Sequence, residues 1–154
     1  MTEQLKQVYP YINGQAWKSE GQLHKDLVNP YTGKPLARVF LATKQDIEEA
    51  LASAERAQRV WGKMLARERE AILCRAADIV ERRRDDIVRV LVEEGGNVFG
   101  KAMFECDYIV STFRIAAGQT RDIRGETMPS DLPGRISMSI RRPLGVVAGI
   151  GPFN

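Results

Sequence analysis

The residues able to do covalent or acid–base chemistry are thinly spread in this 154-residue chain. Two thiols, Cys74 and Cys106, fall inside helical patterns, where inert buried thiols are the norm. The single imidazole, His24, lies in a polar loop with no carboxylate or hydroxyl partner nearby in sequence. Glu93, Glu94 and Glu105 read as helix residues, and Glu68 and Glu70 belong to a face of mixed charge. No metal-ligand spacing is present. The remaining candidate is at the end, in "RRPLGVVAGIGPFN". There Gly145 to Ile150 is almost wholly apolar, Gly151-Pro152 breaks the run, and the carboxamide of Asn154 closes it. On the residues alone, Gly151-Pro152 is ordinary turn punctuation and Asn154 caps the next turn.

The elements that would position these groups follow from periodicity. In "YPYINGQAWKS" the Asn13-Gly14 pair predicts a tight hairpin, because both turn positions need positive φ. A second turn, around Asn29-Pro30 and Thr32-Gly33, leads into a strand in which Ala37, Val39 and Leu41 alternate with Arg38 and Phe40. Thr43 opens a helix with Asp46 three residues on, an approximate capping box. Its expected apolar stripe is Ile47, Leu51, Ala54, Gln58 and Trp61. A helical region over 66–94 carries Ile72, Leu73, Ala76, Ile79 and Val80, then Ile87, Val88, Leu91 and Val92. Asp85 could cap a new helix between the two sets, and Gly95-Gly96 ends the region. A further helix over 98–121 places Ala102, Cys106, Ile109, Phe113 and Ala117 on one face. The turn cluster 129–134 precedes a two-faced strand over 135–142, and a strand buried on both faces follows over 144–150. That last strand needs parallel neighbours, so the sheet is incomplete as given.

Bulk properties exclude several classes. The net charge of +3 comes from interleaved signs, as in "ERRRDD" at 81–86, rather than from the clustered bases that nucleic acid requires. The apolar runs are too short to span a bilayer, and the first ten residues hold no secretory h-region. A soluble cytoplasmic protein with free thiols is the expectation.

In their order and spacing "YINGQAW", "NPYTGKPLA", "ATKQDIEEALASAERAQRVW", "REREAILCRAADIVERR" and above all "RRPLGVVAGIGPFN" resemble the N-terminal third of the aldehyde dehydrogenase superfamily. The stretch "GETMPSDLPGRISMSIRRPLGVV" is similar to the branch acting on benzaldehyde, salicylaldehyde or vanillin. One departure is Gly95-Gly96-Asn97, where many relatives carry Thr-Gly-Lys.

The resemblance implies an α/β fold: the helices, hairpins and first strand of a Rossmann-like cofactor domain. It divides the chain into hairpins and helices (1–123), an oligomerisation strand segment (124–142), and the first buried strand with the start of the active-site motif (143–154). It implies that Asn154 is catalytic, its amide donating to a thiohemiacetal oxyanion. Ile150, Gly151, Pro152 and Phe153 would line NAD or NADP, partly through backbone atoms. No metal is implied. The full-length protein would oxidise an aldehyde to its acid through a cysteine thioester, as a homodimer or homotetramer. Residues 1–154 would be an inactive fragment, because the nucleophilic cysteine, the catalytic glutamate and the glycine-rich turn come later in the family. Two rival expectations stand beside this: a coenzyme A-acylating semialdehyde dehydrogenase of the same superfamily, and a non-catalytic helical interaction module.

Overall fold

The computed structural model describes residues 5–151. The chain first forms β1 (Lys6–Val8), then the hairpin of β2 (Tyr11–Ile12) and β3 (Gln15–Ala16). Asn13 and Gly14 both take positive φ, 51° and 79°, as the predicted turn demands. β4 (His24–Val28) and β5 (Pro35–Phe40) follow. The sheet order is β1-β5-β4, with β5 parallel to β1 and antiparallel to β4. His24 is therefore a strand residue, paired with Phe40, and not part of a loop. Alternation is weak across residues 22–28, so β4 left no clear period-two signal.

The turn between β4 and β5 is built from its own side chain. The Asn29 carboxamide oxygen accepts from the backbone N–H groups of Tyr31 and Thr32. Tyr31 then donates its hydroxyl to the Gly96 carbonyl, tying the sheet to the helices.

Four helices follow: α1 (Lys44–Trp61), α2 (Ala66–Arg82), α3 (Arg84–Gly95) and α4 (Phe99–Gln119). The chain breaks between α2 and α3 at Arg83, which caps α3 without a side-chain bond. Asp85 is not the cap. It sits with Asp86 in the first turn, where carboxylates favour the positive end of the helix dipole. Gly96 ends α3 in the left-handed conformation, and its N–H and that of Asn97 satisfy the last carbonyls.

The core lies between α2, α3 and α4. Val88, Ala102 and Cys106 are buried at its centre, with Val80, Ile87, Leu91, Val92 and Met103 packed around them. Ala77, Ala102 and Ala117 are almost fully enclosed, and their small side chains let the helices approach closely. Ion pairs lie outside this core: Arg114 with Glu81, Arg121 with Glu70, and Arg84 with Asp107.

Three expected stripes are corrected at their edges. Ile79 on α2, Ile109 on α4, and Ile47 and Leu51 on α1 are exposed. The 3.6-residue period fixes which residues share a face, but not how wide a face the neighbours cover.

The expected strand over 135–142 contracts to β7 (Ser137–Met138), paired antiparallel with β6 (Thr127–Met128). Ser139 completes this ribbon, accepting through its Oγ from the Glu126 N–H and donating its own N–H to the Glu126 carbonyl. Residues 143–151 carry no strand assignment and are exposed. A strand buried on both faces requires a partner at each edge, and none of β1 to β7 pairs with this run.

Candidate functional site

The expected site begins where the described structure stops. Ile150 is 93% exposed and Gly151 is exposed. The other three expected site residues, Pro152, Phe153 and Asn154, lie outside the described residues. Around Gly149 and Gly151 the backbone is open, and a Cβ at either would meet nothing within 4 Å.

The thiols part company. Cys106 is 1% exposed in the helical core, and burial pushes its thiol pKa up, Arg84 opposing and Asp107 reinforcing the shift. It is an inert packing thiol. Cys74, expected to be buried, is exposed. It lies just off the face of α2 that carries Leu73 and Ala77 toward the interior, so one helical step of about 100° moves it outward. Among the described residues no cluster of His, Cys, Asp and Glu could hold a metal.

The most organised polar centre is one the sequence showed only in part. Thr43 and Asp46 form the full capping box at the start of α1. Asp46 is 2% exposed and does much more than cap. Its Oδ1 accepts from the Trp17 indole N–H at 3.0 Å. Its Oδ2 accepts from the Thr43 N–H at 2.8 Å, Ser19 Oγ at 2.9 Å and Gln22 Nε2 at 3.1 Å. The Thr43 backbone N–H, helped by Ser19 and Gln22, holds the Asp46 carboxyl far below the usual carboxylate range against the opposing cost of burial. A carboxylate so fully engaged by donors is an anchor between the hairpin and α1, not a proton carrier. The residue pattern around Trp17 gave no sign of this, because its donors lie 24 to 29 residues away in sequence.

A second centre uses the Gly95-Gly96-Asn97 departure. Asn97 is 6% exposed and donates through Nδ2 to Glu105 Oε2 at 2.9 Å. Lys101 closes on the other carboxylate oxygen, one turn before it on α4. Asn97 and Lys101 thus engage both oxygens of Glu105 in a local polar cluster where α3 passes into α4.

The architecture is α/β: a hairpin, a mixed three-stranded sheet and a helical layer, leading into a glycine-punctuated apolar segment. Residues 17–154 match the aldehyde dehydrogenase family, and the chain belongs to that family. It is 34% identical over 145 residues to vanillin dehydrogenase of Pseudomonas fluorescens, covering 93% of this chain and 30% of the relative. It is 31% identical over 153 residues to malonate-semialdehyde dehydrogenase 1 of Shouchella clausii (strain KSM-K16), covering 99% of this chain and 31% of the relative. Its fold matches the structure of a salicylaldehyde dehydrogenase from Pseudomonas putida G7 with a TM-score of 0.84 and 28% identity, covering 90% of this chain and 28% of that one. The chain therefore spans about 30% of the length of the curated relatives it matches, and its fold corresponds to the N-terminal part of theirs. No described helix is long and apolar enough to cross a membrane.

Proposed function

We propose that the protein is an aldehyde dehydrogenase that oxidises an aldehyde, preferably an aromatic one, to the carboxylic acid. The observation that carries this reading is the family match over residues 17–154, which runs through the terminal Gly-Pro-Phe-Asn. Likeness to a vanillin and a salicylaldehyde dehydrogenase supports the aromatic preference.

In this reading the amide of Asn154 donates an N–H to the oxygen of a thiohemiacetal as it gains negative charge. A neutral donor held in place needs little reorganisation when that charge develops. Ile150, Gly151, Pro152 and Phe153 line the cofactor, with the open backbone at Gly151 allowing close approach. NAD or NADP, when bound, supplies the hydride acceptor. The attacking thiolate and the base that activates water are not among Cys74, Cys106 or the described glutamates, so residues 1–154 alone are expected to show no turnover. The assembled enzyme is a cytoplasmic homodimer or homotetramer in which the β6–β7 ribbon contributes to subunit contact. Met138 within it and Ile136 and Ile140 beside it are exposed, which suits that role.

A second reading, acyl transfer to coenzyme A, draws on the likeness to a malonate-semialdehyde dehydrogenase. The intact gene product should be assayed with NAD and NADP against salicylaldehyde, vanillin and malonate semialdehyde, with and without coenzyme A. Oxidation of the aromatic aldehydes independent of coenzyme A is expected. Asn154→Ala should lower kcat by about 10²–10³, the usual cost of one oxyanion donor. Undiminished turnover in that variant would remove Asn154 from the chemistry, and activity confined to malonate semialdehyde plus coenzyme A would favour the second reading.

A further inference from the structure

Most arginines in the described structure have an acidic partner, as with Arg38 and Asp26, Arg56 and Glu49, and Arg114 and Glu81. One cleft breaks that pattern. It measures about 820 Å³ and lies between the end of α1, the first turns of α2 and residues 141–145. Arg69, Arg141 and Arg142 all line it, and no carboxylate does. None of the three forms an ion pair among the described residues, and Arg69 Nε has no hydrogen-bond acceptor. Arg141 spends one donor, its Nε–H, on the Arg124 carbonyl.

Three uncompensated positive charges in one concavity repel one another and create a positive potential that draws anions there. Guanidinium forks bind phosphate and carboxylate in matched, often bidentate geometry. Apart from the Gln58 carboxamide and backbone at Gly62 and Gly145, the rest of the lining is apolar: Trp61, Ile123, Pro143 and Leu144. Concave sites with an apolar floor and a few convergent polar groups are the usual form of small-molecule sites.

We propose that the cleft framed by Arg69, Arg141 and Arg142 is a binding site for an organic oxyanion, a phosphate or carboxylate carried on an apolar body. The arginines hold the anionic head and the Trp61 side of the cleft covers the body. The site is independent of aldehyde oxidation, and its test uses neither cofactor nor aldehyde.

Phenyl phosphate and phenylacetate serve as probes in calorimetric titrations of the whole protein at low ionic strength. Saturable binding of at least one is expected, weakening as salt rises. Binding of phenyl phosphate alone assigns a phosphate monoester, and binding of phenylacetate alone assigns a carboxylate. Arg142→Gln changes an exposed side chain, so folding should survive it. It should weaken binding about tenfold, the typical cost of one charge-assisted hydrogen bond. Arg135→Gln, at an exposed arginine that does not line the cleft, should leave binding unchanged. Absence of saturable binding by either probe, or binding insensitive to Arg142→Gln, overturns the proposal.

Discussion

Helix α4 and the stretch 143–151 are both rich in apolar residues, yet they end in opposite environments. Ala102 on α4 is fully enclosed, whereas Leu144 is 96% exposed. The difference lies in what each needs. A helix satisfies its backbone internally and asks its neighbours only for cover along one face. Here α2 and α3 supply that cover. A strand must find hydrogen-bond partners on a neighbouring strand before its side chains can be enclosed. The described chain offers 143–151 none, so its apolar side chains stay on the outside. The comparison shows which parts of this structure are self-sufficient, and substitutions can test it.

The largest expected effect is at Asp46. Asp46→Asn removes the charge that Trp17, Ser19, Gln22 and Thr43 share. It should destabilise the chain more than Thr43→Ala, which loses a single cap worth about 1 kcal/mol. The pH dependence gives a sharper check. Because folding lowers the Asp46 pKa, its contribution is complete above the unfolded carboxyl value of about 3.9 and is lost as pH falls below it. The gap in Tm between wild type and Asp46→Asn should therefore be widest near neutral pH and close under acid conditions. A gap that stays constant down to pH 3 would mean that the carboxylate charge is not what the network stabilises.

The sequence revealed the elements whose causes are local. Asn13-Gly14, the Thr43–Asp46 box and the Gly96 stop each act within a few residues, and all three form as expected. The stripe on α4 also held, at Ala102, Cys106 and Ala117, because helical period alone sets that face, whereas on α2 the enclosed residue is Ala77, beside the expected Ala76. What stayed hidden depends on distant partners. β4 pairs through its backbone with β5, so His24 gave no strand signal. Trp17 meets Asp46 across 29 residues, and Asn97 meets Glu105 from beyond the helix start. The exposure of Cys74 depends on one angular step relative to α4, which a stripe of unknown width could not settle. For the expected site, the Gly-Pro-Phe-Asn motif was legible only through family likeness, since its residues alone look like turn punctuation.

The next effect is expected where the sheet meets the helices. Gly96 has φ of +68°, and a Cβ there would lie 2.9 Å from Pro30 Cγ. Gly96→Ala thus meets both left-handed strain, about 1–2 kcal/mol for a residue with a Cβ, and a steric conflict with the Asn29 turn. The Tyr31 hydroxyl bond to the Gly96 carbonyl should loosen with it. Denaturant unfolding should show a loss of about 1–2 kcal/mol. Tyr31→Phe alone should lose about 0.5–1.5 kcal/mol, the net worth of one hydrogen bond. If Gly96→Ala costs nothing, the turn is not held against the helix end and the sheet is less firmly joined to the core than described.

The smallest effect on stability should come from the exposed run. Val147 is 73% exposed and packs into no core, so Val147→Lys in residues 1–154 should change the unfolding free energy by less than about 0.5 kcal/mol. The same change should act strongly on association. Leu144, Val147 and Ile150 form an uncharged apolar stretch with unpaired backbone, the kind of edge that pairs with another chain. Sedimentation should show wild-type 1–154 self-associating with concentration and Val147→Lys remaining monomeric over the same range. A monomeric wild type would mean that the run finds cover within the chain. A stability loss of more than about 2 kcal/mol, the scale of a buried aliphatic side chain, would require that cover to lie over Val147 itself. Either result would erase the contrast between α4 and 143–151, because both would then be enclosed by neighbours already present.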